Sequence, residues 1–267
     1  MESKDALPAL LCVVAAACSS TAPGGRSQLT APPAVSSVVS SVDMDLRLAV
    51  APVAQACLQS PCDADRHIDR DVSRLGARLA RAAYANYGEL RRRVPAFKFV
   101  VADKAEPGSD SDARGTVVIF RGALRAGLDE KALAFLIARE MGHVIARHHD
   151  EKSATSILLA VLVQMFMPLT SLTGGVATLT GSTASFVGTE LVTARNGENR
   201  IREANAIAFA LLTQLGWPRR QVSASLAAYL RTLDGNAWST GLRQSLESPP
   251  PARVPKTADA AARTGPA

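Results

Sequence analysis

The stretch FLIAREMGHVIARHHDE, Phe135 to Glu151, governs how the rest of the chain is read. Apolar residues recur through it at helical spacing. The longer segment LDEKALAFLIAREMGHVIARHHDEK predicts one long helix over about 129–149, with Asp129 as its N-cap. Leu133, Leu136, Glu140, His143 and Arg147 then share one broad side, with Arg139 beside them. Glu140-Met141-Gly142-His143 is the greater part of H-E-x-x-H, a pattern that sets two imidazoles on one helix face around one metal ion. The first histidine is replaced by Arg139.

Working outward, AFKFVVA (96–102) and TVVIF (116–120) read as strands, with the polar turn GSDSDARG between them. Upstream, Val72, Leu75, Leu79 and Ala83 mark a helix over about 63–89. Downstream, Ile201, Ala204, Ala208, Leu211 and Leu215 stripe a helix over about 191–215, ended by Gly216-Trp217-Pro218, and RRQVSASLAAYLRTL gives another. The fold class expected is α+β, mainly helical, with a small β-sheet packed on the helix around Glu140. Residues 153–189 carry no charge; Gln164, Pro168 and the Ser/Thr/Gly content argue against a spanning hairpin.

The ends of the chain read differently. Ala6 to Cys18 is a short apolar run ending in small residues, the size of a signal-peptide core. Ala15-Ala16-Ala17-Cys18 resembles a bacterial lipoprotein signal, with Cys18 lipidated and Ser19 after it matching the outer-membrane sorting pattern; an ordinary cleaved signal is the alternative. Residues 19–41, rich in Ser, Ala, Pro and Thr with one charge, read as a flexible tether. The domain then covers 42–247, and the Pro/Ala-rich 248–267 reads as a disordered tail. Cys57 and Cys62 have spacing compatible with a disulfide in an oxidising compartment. The net charge of +6 comes mostly from scattered arginines; the run Arg91-Arg92-Arg93 lacks interleaved aromatics and reads as a solvated helix end, which excludes nucleic acid as the expected partner. An anionic membrane surface is a milder alternative.

The order of these parts resembles the HtpX/BepA-type zinc metallopeptidases, a gluzincin-like family that also contains the CAAX prenyl proteases. The matching pieces are FKFVVAD, GTVVIFRGAL, DEKALAFLIAREMGHVIARHH, ENRIREANAIAFALLTQLGW and ESPPPARV, over roughly residues 65–255. The resemblance implies a zinc ligand at 139, a general base at Glu140, a second ligand at His143, a third ligand at 201 and a supporting carboxylate at 205. Here those positions hold Arg139, Glu140, His143, Ile201 and Asn205. Arginine has no acceptor atom and isoleucine no donor, so His143 is the one ligand position retained. Glu203 lies two residues from Ile201, about 200° round a helix, and is expected to face away from it. On a continuous helix His148 lies about 140° from His143, so His148 and His149 are expected as a helix-end cap or surface pair.

The expectation is therefore a cell-envelope lipoprotein, anchored on the periplasmic face of the outer membrane. It would have a metallopeptidase fold, a degenerate metal site, an idle Glu140 and no cofactor, and would bind unfolded or assembling envelope proteins. The alternative is an active zinc-dependent metalloendopeptidase with an atypical site, acting in envelope protein quality control.

Overall fold

The computed structural model describes residues 19–54, 62–166, 187–233, 235 and 237–247. The leader with Cys18, the Cys57–Cys62 pairing, most of the small-residue stretch after Phe166 and the tail 248–267 lie outside them. The chain opens with a hairpin, β1 (Ser19–Thr21) and β2 (Ser27–Leu29), followed by α1 (Pro33–Val50), α2 (Cys62–Asn86) and the short α3 (Leu90–Arg93). Next come β3 (Lys98–Ala102), β4 (Ser109–Ser111), β5 (Thr116–Phe120) and the short α4 (Arg121–Arg125). Five helices complete it: α5 (Glu130–Ile145), α6 (His148–Phe166), α7 (Val187–Gln214), α8 (Arg219–Leu230) and α9 (Ala237–Glu247).

Helix α5 is the centre of the fold. Asp129 caps it, its side chain accepting from the Ala132 N–H, and nearly every residue from Ala132 to Ile145 is buried. It packs on α7 at very short range: a Cβ added to Gly142 would lie 2.5 Å from the Ala204 carbonyl oxygen. Seven residues back, the rings of Phe135 and Phe209 meet at 5.0 Å. Gly142 facing Ala204 and Phe135 facing Phe209 make the two helices antiparallel, and Leu136, Met141, Ile207 and Leu211 fill the seam. The three-stranded sheet, in order β3-β5-β4, lies against α5. Val117 and Ile119 of β5 point into the core, while β4 forms the edge nearest the functional residues.

Three expectations are corrected here. Residues 19–41 are not a tether: they form β1, β2 and the first half of α1. Pro33 starts α1 at a position where its missing N–H costs nothing. The helix turns its serines inward: Ser36, Ser40 and Ser41 are buried, and Ser40 Oγ accepts from the Ala113 N–H at 2.9 Å. Its valines face out, with Val38 64% and Val42 61% exposed. The hairpin is tied down by Gln28, which donates to the Ala146 carbonyl at 3.1 Å, and by the Ala31 N–H on the Asp150 carbonyl.

The expected turn at 108–115 contains β4, paired antiparallel to β5 through Ser109↔Ile119 and Ser111↔Val117. The expected helix over 129–149 breaks after Ile145, and Arg147 takes φ 63 before α6 begins at His148. That left-handed backbone is rare outside glycine. It is held by the Gln28 bond to Ala146 and by Arg147 Nε donating to Asp150 Oδ2 at 2.7 Å. Among the described residues no helix is long and apolar enough to cross a membrane.

Candidate functional site

The site lies where α5 crosses α7 and meets β4. Glu140, one turn before His143 on α5, is 6% exposed. Ser109 Oγ donates to its Oε1 at 2.8 Å and Ser111 Oγ to its Oε2 at 3.1 Å. The two serines alternate along β4, so the strand's period of two brings both hydroxyls to one carboxylate. Each hydroxyl has one proton, and both are committed to Glu140. Ser109 in turn accepts from the Trp238 indole N–H at 3.2 Å, and Ser111 lies 3.0 Å from His149 Nε2, which must therefore donate to it. Burial, then the neighbouring His148, pushes His149 down to about 4, so it is neutral and able to play that part.

Arg139 is 7% exposed and turns toward its sequence neighbour: its Nη1 lies 3.8 Å from Glu140 Oε1. The guanidinium thus points at a carboxylate, as a buried cation must. The pairing is incomplete, since Arg139 Nε has no hydrogen-bond partner among the described residues. Asn205, at the level of Arg139 across the helix pair, is 1% exposed, and neither its Oδ1 nor its Nδ2 finds a partner there. Ile201 is half-buried one turn away on the same helix.

The second cluster overturns the expectation for His148. Because the chain turns at Arg147, His148 does not continue round α5 but folds back beside it. Its Nδ1 is 2.9 Å from His143 Nδ1, with the rings edge to face at 5.0 Å. His148 is 3% exposed, so it is neither cap nor surface residue; His149, half-buried on Ser111, is not one either. Glu203 also belongs here: its Oε2 lies 3.2 Å from His148 Nε2. Glu203 does lie round the helix from Ile201, and that direction is the one that meets the folded-back His148.

The hydrogen bonds fix the tautomers. Burial holds His148 below its ordinary pKa despite Glu203, and holds His143 well below, so both rings are neutral. Glu203 can only accept, so His148 carries its proton on Nε2. Its Nδ1 then accepts from His143 Nδ1–H, which leaves the lone pair of His143 on Nε2. Burial alone would raise Glu203, but hydrogen bonds from His148 and the Gly24 N–H, with the Arg26 charge, hold it below the usual carboxylate range. Arg26 spans Glu151 at 2.9 Å and Glu203 at 3.4 Å, so the N-terminal hairpin braces the whole relay.

Of the positions singled out from the sequence, Arg139, Glu140, His143 and Asn205 are grouped along the α5–α7 crossing. Ser109, Ser111, Trp238 and Arg26 escaped notice, and Glu203 was expected only to face away from position 201. The alternating serines of GSDSD were the one available signal, because alternation is what a strand needs to place two like side chains on one face. Among the described residues no three His, Cys, Asp or Glu side chains are grouped as a metal centre requires. A search of curated proteins gives no match to this chain. The sequence model of peptidase family M48 matches residues 69–239, from within α2 to the first turn of α9, which covers α5, α7 and β4 but not the N-terminal hairpin that carries Arg26. The chain belongs to peptidase family M48.

Proposed function

We propose that this chain is a non-catalytic member of the family, a pseudopeptidase that holds unfolded or assembling proteins of the cell envelope. We further infer anchorage by a lipid on Cys18 to the periplasmic face of the outer membrane. The observation that carries the reading is Arg139, a permanent cation set beside the family's base position. Zinc is the metal of this family, and a catalytic zinc takes about three protein ligands and a water. The residues here do not fit it: Arg139 has no lone pair, Ile201 has no donor atom, and the Arg139 guanidinium brings positive charge beside His143. Glu140, with both oxygens engaged by serines and Arg139 alongside, is poorly placed to take a proton from water.

One observation favours the second reading, an active zinc endopeptidase with an atypical site. The relay from Glu203 through His148 leaves His143 with an unprotonated Nε2, the tautomer of a metal ligand. Elemental analysis of the purified chain, followed by a chelator-sensitive casein cleavage assay, separates the two. The pseudopeptidase reading expects well under one zinc per chain and no cleavage. Stoichiometric zinc with cleavage abolished by chelator overturns it.

A further inference from the structure

A cavity lies away from the α5–α7 crossing, between the N-terminal hairpin, the α2–α3 junction and the turn that joins α5 to α6. Its volume is about 840 Å³, it is open to solvent, and its wall is mostly apolar, with Ala22, Pro23, Leu90 and Ile145 contributing. That size suits a small-molecule ligand. Three guanidinium groups reach it, from Arg92, Arg93 and Arg147, against one carboxylate, Glu89. Two of the three are neutralised: Arg92 pairs with Glu89 at 2.9 Å and Arg147 with Asp150 at 2.7 Å.

Arg93 differs. The sequence placed it in a solvated run, but only Arg91 and Arg92 are solvated. Arg93 turns inward, and its Nη2 donates to the Val144 and Ile145 carbonyls at 2.9 and 3.2 Å, at the C-terminus of α5. Its Nε and Nη1 make no hydrogen bond, and no carboxylate lies within ion-pair distance of it, among the described residues. A largely desolvated cation with one nitrogen on two carbonyls and no direct ion pair, Asp150 acting on it only from beyond contact, can take an anion on its remaining donors. Tyr87 adds a second donor on the same wall: burial pushes its phenol up to about 12, so it keeps its proton, and its hydroxyl has no partner among the described residues.

We propose that this cavity binds an anionic single-chain amphiphile, its acid group on Arg93 and Tyr87 and its hydrocarbon chain along the apolar wall. The apolar part of the wall suits a hydrocarbon chain better than a peptide, since Pro23 and Pro33 have no N–H and Ala22, Leu90 and Ile145 offer no side-chain polar group to an incoming backbone. A bare inorganic anion would satisfy Arg93 but leave that apolar surface wet. A fatty acid and a lysophospholipid share the required chemistry, an acid head on one hydrocarbon chain.

The test is calorimetric titration of the purified full chain with dodecanoate and with dodecyl phosphate, each below its micelle concentration. Dodecanol, dodecyltrimethylammonium and inorganic phosphate are the comparisons. One site per chain is expected for the two acids, with dodecanol and inorganic phosphate each about tenfold weaker or more. A preference for the carboxylate points to a fatty-acid source, and a preference for the phosphate to a lysophospholipid; either supports the proposal. Arg93→Gln removes the charge while keeping an amide to cap the Val144 and Ile145 carbonyls, and should weaken both acids about tenfold.

Gly88→Trp fills the cavity mouth from a position where an added Cβ meets nothing within 4 Å, and should weaken them similarly. If Arg93→Gln does not fold, Gly88→Trp and Tyr87→Phe decide. The proposal is overturned if neither acid binds at millimolar concentration. It is also overturned if Gly88→Trp and the Arg93 or Tyr87 variant bind as tightly as the parent, or if dodecyltrimethylammonium or inorganic phosphate binds as tightly as the acids.

Discussion

Glutamate 140 is the sharpest place to separate a working base from a structural counter-charge, through a double-mutant cycle with Arg139. Glu140→Gln keeps the shape but offers one acceptor oxygen in place of two, so one of Ser109 and Ser111 must turn its hydroxyl to accept from the amide, and it leaves the Arg139 guanidinium buried with no anion at 3.8 Å and its Nε already unpartnered. Removing one partner of a buried pair costs several kcal/mol; the length of this contact puts the expectation at about 3 kcal/mol. Arg139→Met removes the charge and the orphaned donor together and leaves a carboxylate with two hydroxyl donors, so about 1 kcal/mol is expected. The double variant replaces both charges and should be about 1 kcal/mol less stable than the parent, which makes the coupling energy about 3 kcal/mol.

Equilibrium urea denaturation of the four proteins at pH 7.5 in chelator measures it. Additivity to within about 0.5 kcal/mol would refute the claim that Arg139 balances Glu140. A Glu140→Gln protein of parental stability that had lost a cleavage activity would refute the pseudopeptidase reading as well.

Three other outcomes are expected. Arg139→His alone should bind little zinc, whereas Arg139→His with Ile201→Glu rebuilds three ligands with His143 and should bind it measurably by competition with a chromophoric chelator; no gain in the double variant would mean residue 201 does not face the crossing. Gly142→Ala gains about 1 kcal/mol of helix propensity but drives a methyl to 2.5 Å from the Ala204 carbonyl, so a net loss of about 2 kcal/mol and a lowered Tm are expected, and a raised Tm would contradict the close approach of α5 and α7. Asp110 is pushed up to about 6, first by burial and then by Glu140, against the pull of Arg47. Its folded pKa lies above its unfolded one, so its contribution is present at pH 4 and is lost as pH rises to 6. Asp110→Asn should therefore stabilise the fold by about 2 kcal/mol at pH 7.5 and hardly at all at pH 4, as read from Tm against pH.

The helices were legible because their apolar residues keep a 3.6 period: α2, α5, α7 and α8 lie where the stripes of Leu75 and Leu79, Leu133 and Leu136, or Ala204, Ala208 and Leu211 put them. The pairing of α5 with α7 was legible too, through the family pattern that spans both. What was lost had no such signal. Strand β4 is Ser-Asp-Ser, a sequence without an apolar residue, and exists because β5 offers it a backbone ladder. The break at Ala146–Arg147 contains neither glycine nor proline; it is imposed by Gln28 and Asp150 from distant parts of the fold. That single turn moved His148 from an outer face to the side of His143 and drew Glu203 into the cluster. Helix α1 was missed because its serines suggested a linker, yet it is the serines that face inward, onto the loop after β4.

The contact of Gly142 with Ala204 bears on how such a chain could arise. Where a metal clasps two helices together, each lost ligand loosens the clasp, and drift is penalised at the first step. Here the clasp is backbone against side-chainless backbone, reinforced by Phe135 on Phe209, and none of the ligand positions takes part in it. Side chains at positions 139 and 201 can therefore vary without disturbing that contact. A lineage released from selection for cleavage would keep its architecture while the chemistry at its centre wandered, and the crossing itself would be the last thing to go.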